Sequence, residues 1–254
     1  MSKSNKEEIS EFAKTAIIAV LLAMVIRTFL YEPFNIPSGS MLPTLKVGDY
    51  LFVSKPAYGY SKHSFPFGLA EFEGRMSEEK PKRGDVVVFK LPSNTGIDYI
   101  KRLIGMPGDT VQMIRGRLYI NGDIVEREAV GMIEETTDPS FPPQRTIEYI
   151  ETLPGGIMHS IYEDSDNGDL DNTPLYTVPE NHYFMMGDNR DNSQDSRVQT
   201  LVGFVPFENF VGRAEILFFS VEDDAQLFNP LTWFQNIRYN RILDRIGPIR
   251  QKEE

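Results

Sequence analysis

The twelve residues "TAIIAVLLAMVI", 15 to 26, carry no charge and constrain this chain more than any other stretch, because so apolar a run asks for a bilayer or a signal-peptide receptor. Twelve is short for a bilayer span, which takes about 20 residues, and suits the apolar region of a cleavable secretory signal. Two features favour a retained anchor. Arg27 near a helix end reaches the interface with its long stem, which extends the span to residues 15–34, and Phe29, Tyr31 and Phe34 set aromatic rings at the far boundary. No small-x-small cleavage site follows, since the run closes in "RTFLYEPF". Lys3, Lys6 and Lys14 precede it among Glu7, Glu8 and Glu11, and basic residues favour a cytoplasmic N-terminus. This reading divides the chain into a cytoplasmic N-terminus (1–14), one transmembrane anchor (15–34) and an extracytoplasmic body (35–254).

The chain as a whole has the composition of one globular unit: of 254 residues, 41% are hydrophobic and 25% charged. A net charge of −11 repels nucleic acid, so no nucleic-acid partner is expected. The absence of cysteine removes disulfides, thiolate metal sites and a cysteine nucleophile from consideration.

Pro33 and Pro37 force an extended exit from the span. Beyond them "DYLFVSK", "GDVVVFKL", "TVQMIRG", "RLYING", "DIVERE", "HYFMMGD" and "AEILFFSV" read as strands bounded by Gly, Pro and Asn. Asn121-Gly122 marks a hairpin, and "MIRGRLYI" a second tight reversal. Residues 56–82 and 129–176 read as long polar connections. The expected fold is mainly β, with a hairpin-bearing insertion at about 110–180 that forms a cap subdomain.

Two acidic or basic stretches invite further readings. "YEDSDNGDLDN", 162–172, alternates carboxylates and amides, but Pro174 stands where a calcium loop needs its bidentate Glu, so a solvated loop is expected. "LTWFQNIRYNRILDRIGPIR" sets Trp233, Phe234, Ile237 and Ile246 among Arg238, Arg241 and Arg245; it suits a basic amphipathic helix on anionic lipid or an ordinary docked terminal helix.

"NIPSGSMLPTL", 35–45, offers Ser38 and Ser40 as nucleophiles. Neither His63 nor His159, both read as loop residues, nor His182 at a strand start has the context of a catalytic base. Lys101 in "DYIKRLIGMPGD" is the alternative, beside the plain reading of it as a solvent-facing strand lysine. A free lysine is neutral in only about one molecule in 800 at pH 7.5, a cost of about 4 kcal/mol, so the lysine has to be buried. Strand alternation permits Lys101 to point inward with Tyr99 while Arg102 faces water. "MMGDNRDNSQDSR", 185–197, packs short hydrogen-bonding side chains and two arginines into what reads as an internally bonded scaffold.

With these stretches in the order "PSGSMLPTL", "RGDVVVFKLP", "YIKRLIGMPGD" and "GDNRDNSQDSR", the chain resembles the type I signal peptidases, membrane-anchored Ser-Lys dyad proteases. The resemblance implies Ser40 as nucleophile, Lys101 as general base, and the Ser38 hydroxyl joining the Ser40 backbone N–H in an oxyanion hole. It implies that Ser193 orients Lys101, with Asp188, Asp195 and Arg197 in support. Substrate pockets for small side chains fall on Phe34, Ile36, Met41, Leu45, Tyr99, Ile100 and Met185. The implied substrates are the signal peptides of exported preproteins, cut after an Ala-x-Ala type boundary at a bacterial inner membrane. The bilayer is an implied partner, the translocation machinery a possible one, and no metal or cofactor is called for. Only one span is present where some relatives have two, and the cysteine pair of some relatives is missing. The rivals are a self-cleaving repressor-type Ser-Lys protease, which needs a DNA-binding domain in place of the anchor, and a secreted β-rich binding protein with a removed signal.

Overall fold

The computed structural model describes residues 2–65, 72–135, 144–222 and 236–249. One long helix, α1 (Ser2–Phe29), opens the chain, and its stretch Glu8–Phe29 is long and apolar enough to cross a membrane, with none of it buried against the body. At 1.5 Å per residue, 22 residues span about 33 Å, slightly more than a hydrocarbon core. The helix stops earlier than residue 34. Pro33 lies in β1 (Tyr31–Asn35), an edge strand whose outer side spares a backbone N–H, and the apolar length is made up on the N-terminal side instead.

The central sheet has seven strands in the order β1, β2 (Asp49–Ser54), β14 (Phe210–Ser220), β3 (Val86–Leu91), β4 (Asn94–Gly105), β12 (His182–Met186) and β13 (Val205–Pro206), all antiparallel neighbours. β4 and β12 are adjacent, so residues 106–181 leave and rejoin the sheet at one place. That excursion builds two smaller sheets. One joins β5 (Thr110–Ile114), β6 (Arg117–Ile120), β7 (Asp123–Ile124) and β11 (Tyr176–Thr177); the other is a meander of β8 (Glu126–Glu135), β9 (Gln144–Leu153) and β10 (Ile157–Glu163).

Both expected reversals are two-residue hairpins. Arg115-Gly116 and Asn121-Gly122 have positive φ at both turn positions, the backbone that matches the twist of the flanking strands. The stretch 129–176 departs from its reading as a polar connection, because most of it is the β8–β10 meander. His159 therefore sits in a strand, not a loop, and its ring is buried.

Three apolar clusters fill the body. One packs Phe89, Leu103, Met185 and Phe210; a second packs Ile36, Met41, Leu45, Leu51 and Val86; the third joins Ile104, Phe184 and Met186 of the main sheet to Val111, Leu118 and Leu153 of the excursion. The last cluster covers the end of β4 from outside. The helix expected of the tail is described only at Asn236, since residues 231–235 lie outside the described residues; beyond it the segment makes a short 3-10 turn at Tyr239–Arg241 and isolated bridges to Val221, β14 and β10. Arg238 and Arg241 turn inward, while Arg245 is exposed. Arg241 donates to the fully buried Asp49 carboxylate at 2.5 Å and Arg238 to the Val47 carbonyl at 3.0 Å, so they are spent on protein rather than lipid. Trp233 and Phe234 lie outside the described residues.

Candidate active site

Ser40 occupies a single 3-10 turn, Gly39–Met41, which Met41 anchors by complete burial. The turn is pinned from the far side of the body. Asn189 donates its backbone N–H to the Ser40 carbonyl (3.1 Å) and its Nδ2 to the Gly39 carbonyl (3.1 Å). Gly187 makes that approach possible: a Cβ there would stand 2.5 Å from the Ser40 carbonyl oxygen and 2.2 Å from Ser193 Oγ.

Lys101 comes from β4, where it faces the same way as Tyr99, and its Nζ lies 5.4 Å from the Tyr99 ring centroid. Nζ is 2.6 Å from Ser40 Oγ and 2.9 Å from the Ile100 carbonyl. Lys101 is 4% exposed, and burial lowers its pKa to about 8 against the attraction of the Asp195 and Asp188 carboxylates. At pH 7.5 that makes roughly a quarter of the molecules neutral, some 200-fold more than for a free lysine.

The next residue overturns the expectation from alternation. Arg102 is fully buried rather than water-facing, because Thr44, Gly84 and Asp188, with His159 of β10 beside them, close over that face of β4. Its guanidinium forks onto Asp188, Nε to Oδ1 at 2.8 Å and Nη2 to Oδ2 at 2.6 Å, and also reaches the Gly84 carbonyl. Thr44 donates to the same carboxylate at 2.5 Å. Burial would raise the Asp188 pKa, and Arg102 outweighs it and holds the group ionised. His159 lies beside this pair, and burial followed by the Arg102 charge lowers its pKa, which keeps it neutral. His63 and His182 stand apart from Ser40, the latter bonded to the Glu180 carbonyl.

The segment after β12 folds on itself as its composition suggests. Asp195 accepts from Gly187 N–H and from Arg197 Nε and Nη2, and Arg197 reaches the Arg190 carbonyl. Burial opposes ionisation of Asp195 and the Arg197 charge restores it. Ser193 is buried against Gly187, but its Oγ makes no hydrogen bond; it faces Asp195 closely enough to favour the carboxylate, short of bonding geometry. Lys101 thus receives no bond from it.

A cleft of about 490 Å³ opens over the pair, lined by Ser38, Ser40, Tyr99, Ile100 and Lys101, with Asn189, Asn192 and Gln194 opposite. Ser38 is exposed, its Oγ 3.5 Å from Ser40 Oγ. Of the expected pocket residues, Tyr99 and Ile100 line the cleft. Ile36, Met41, Leu45 and Met185 lie buried in the core, and Phe34 borders a separate hollow beside the end of α1. Sequence reasoning passed over Asn189, Thr44 and Arg102. The signal for Asn189 was its place in "GDNR", between a buried-pair aspartate and an arginine.

A family model described as signal peptidase, peptidase S26, matches residues 9–219. The chain is 38% identical over 265 residues to a signal peptidase I of Rickettsia typhi, with 96% of each chain covered. It is 39% identical over 261 residues to one of Rickettsia conorii, covering 95% of this chain and 94% of that one. Among solved structures it is similar to a signal peptidase I of Enterococcus faecalis V583, at 29% identity and a TM-score of 0.31, covering 53% of this chain and 97% of that chain. On the extent of the family match and the near-complete overlap with these relatives, the chain belongs to the signal peptidase family, peptidase S26.

Proposed function

We propose that the chain is a membrane-anchored endopeptidase that removes N-terminal signal peptides from exported preproteins, with Ser40 as nucleophile and Lys101 as general base. The observation that carries this reading is the 2.6 Å approach of a buried lysine amine to a serine hydroxyl at the floor of an open cleft. Neutral Lys101 takes the Ser40 proton as Oγ attacks the scissile carbonyl, then returns it to the leaving amine. Water, deprotonated by the same amine, releases the acyl-enzyme. The developing oxyanion is assigned to the Ser38 hydroxyl and the Ser40 N–H, a pair of donors each worth about 3 kcal/mol. Ser193, Asp195, Arg197 and Asp188 hold the walls of the site.

Specificity for a small residue before the cut is assigned to the walls of the same cleft. Tyr99 and Ile100 line the cleft beside Ser40, and the fully buried Met41, Leu45 and Met185 pack in the core behind it, an arrangement that suits a small side chain there. The single anchor suits a bacterial inner membrane with the N-terminus inside and the body outside, where residues 110–180 form a cap on the catalytic sheet. An Ala-x-Ala preprotein incubated with wild type and Lys101→Ala tests the reading: cleavage by the first alone is expected, and equal cleavage by both overturns it.

A further inference from the structure

Glu163, Asp171 and Asp191 come together from three places in the chain, each offering a carboxylate oxygen within 4.8 Å of the other two. Glu163 ends β10 and is 2% exposed; Asp171 lies in the loop after it and is fully buried. Glu163 Oε2 and Asp171 Oδ1 are buried and have no hydrogen-bond partner, a costly arrangement for two carboxyl oxygens. Their other oxygens are used: Glu163 Oε1 faces Arg127 Nη1 at 3.3 Å, and Asp171 Oδ2 accepts from Gly168 N–H at 2.6 Å. Asp191 Oδ2 accepts from the N–H groups of Asp164 and Ser165. The loop closes tightly over the group, since a Cβ on Gly168 would stand 2.7 Å from Asp191 Oδ1 and 3.3 Å from Asp171 Oδ2. The nearby arginines are shared with other carboxylates, Arg127 with Asp166, Arg190 with Glu151 and Arg197 with Asp195, so the three acidic groups remain under-compensated.

We propose that Glu163, Asp171 and Asp191 form a binding site for a hard divalent cation of calcium's size. The donors are all oxygen and the spread fits, because oxygens on one calcium ion at 2.3–2.6 Å lie at most about 5 Å apart. Calcium also accepts an irregular shell completed by water, which a smaller magnesium ion, held to a strict octahedron, does not. The linear calcium pattern fails in 162–172 because its third acidic ligand is supplied by Asp191, twenty residues further on. The ion would tie that loop to the segment behind the nucleophile. Tyr162 donates its N–H to the Asp188 carbonyl and accepts from Arg190 N–H, and Asn189 between them holds the Ser40 turn.

Thermal unfolding of the full chain in detergent, after chelation, tests the site. With a dissociation constant near 10⁻⁴ M, 10 mM calcium chloride raises the midpoint by about 5 °C or more, and magnesium chloride does so far less. Glu163→Gln and Asp171→Asn each remove the rise while the calcium-free midpoint stays close to that of wild type, since each keeps the shape and the acceptor oxygen of the side chain it replaces. A wild-type midpoint unmoved by calcium overturns the proposal, and so does an equal rise in both variants, which would mean diffuse binding to an acidic chain. Calorimetric titration with calcium chloride adds a second readout: one ion per wild-type chain is expected, and no saturable binding sinks the site even where a variant fails to fold.

Discussion

Lys101 Nζ and Ser40 Oγ stand 2.6 Å apart although 61 residues separate them in the chain. Each is held by something rigid: Lys101 by a strand with neighbours on both sides, Ser40 by a turn that Asn189 clasps. Replacement of either by alanine is expected to lower preprotein cleavage by at least about 10⁴-fold while the folded protein remains in the membrane fraction. Measured turnover within tenfold of wild type in either variant removes that residue from the mechanism.

The depressed lysine pKa sets the pH dependence. Protonated Lys101 is no base, so kcat/KM should climb about tenfold per pH unit below 8 and level off above it. Stability follows the same group. Between about 8 and 10.5 the unfolded chain holds a proton that the folded chain has lost, so stability rises with pH through that window. Below pH 8 the native state carries the whole burial cost of the ammonium. Lys101→Met should therefore be more stable than wild type at pH 7, by about 3 kcal/mol at most, and should lose the rise; denaturant titrations at pH 7 and 10 check both.

Asn189→Ala removes the Nδ2 bond to the Gly39 carbonyl and spares the backbone bond to Ser40. The expected result is a fall in kcat of roughly tenfold with little change in KM, the mark of a misplaced nucleophile rather than a lost substrate contact. A raised KM with kcat intact would place Asn189 in substrate binding instead.

Asp188→Asn leaves Arg102 buried without its counter-charge. A loss of about 3–5 kcal/mol is expected in a urea titration, far above that of an exposed aspartate. Because the folded Asp188 pKa is lowered, the wild-type pair keeps its contribution at neutral pH and sheds it only in acid, as pH falls through that folded value.

The strands that were legible, such as Val86–Leu91, are β-branched runs closed by Gly or Pro. The meander was hidden because β8 and β9 alternate Glu and Arg with isolated apolar residues, and its strands flank a Pro-rich stretch that reads as loop in both directions. The serine and lysine were readable as residue types in motif order. Arg102 was not, since alternation assumes one wet face and says nothing of Thr44, Gly84 and Asp188 closing over it. The pocket set was partly out of reach for the same reason: sequence does not tell a buried floor such as Met185 from a cleft wall such as Tyr99.

Between the end of α1 at Phe29 and the start of β1 at Tyr31 stands one residue, Leu30. The joint is braced by Lys55 N–H on the Leu30 carbonyl, the Tyr60 hydroxyl on the Phe29 carbonyl, and Arg27 and Lys55 on the same Glu32 carboxylate. No slack separates span from sheet, so the cleft cannot drift up or down relative to the helix that carries it. On the reading proposed above, that joint would act as a depth gauge: a peptide bond would be cut only where its own segment in the bilayer presents it at the height of Ser40.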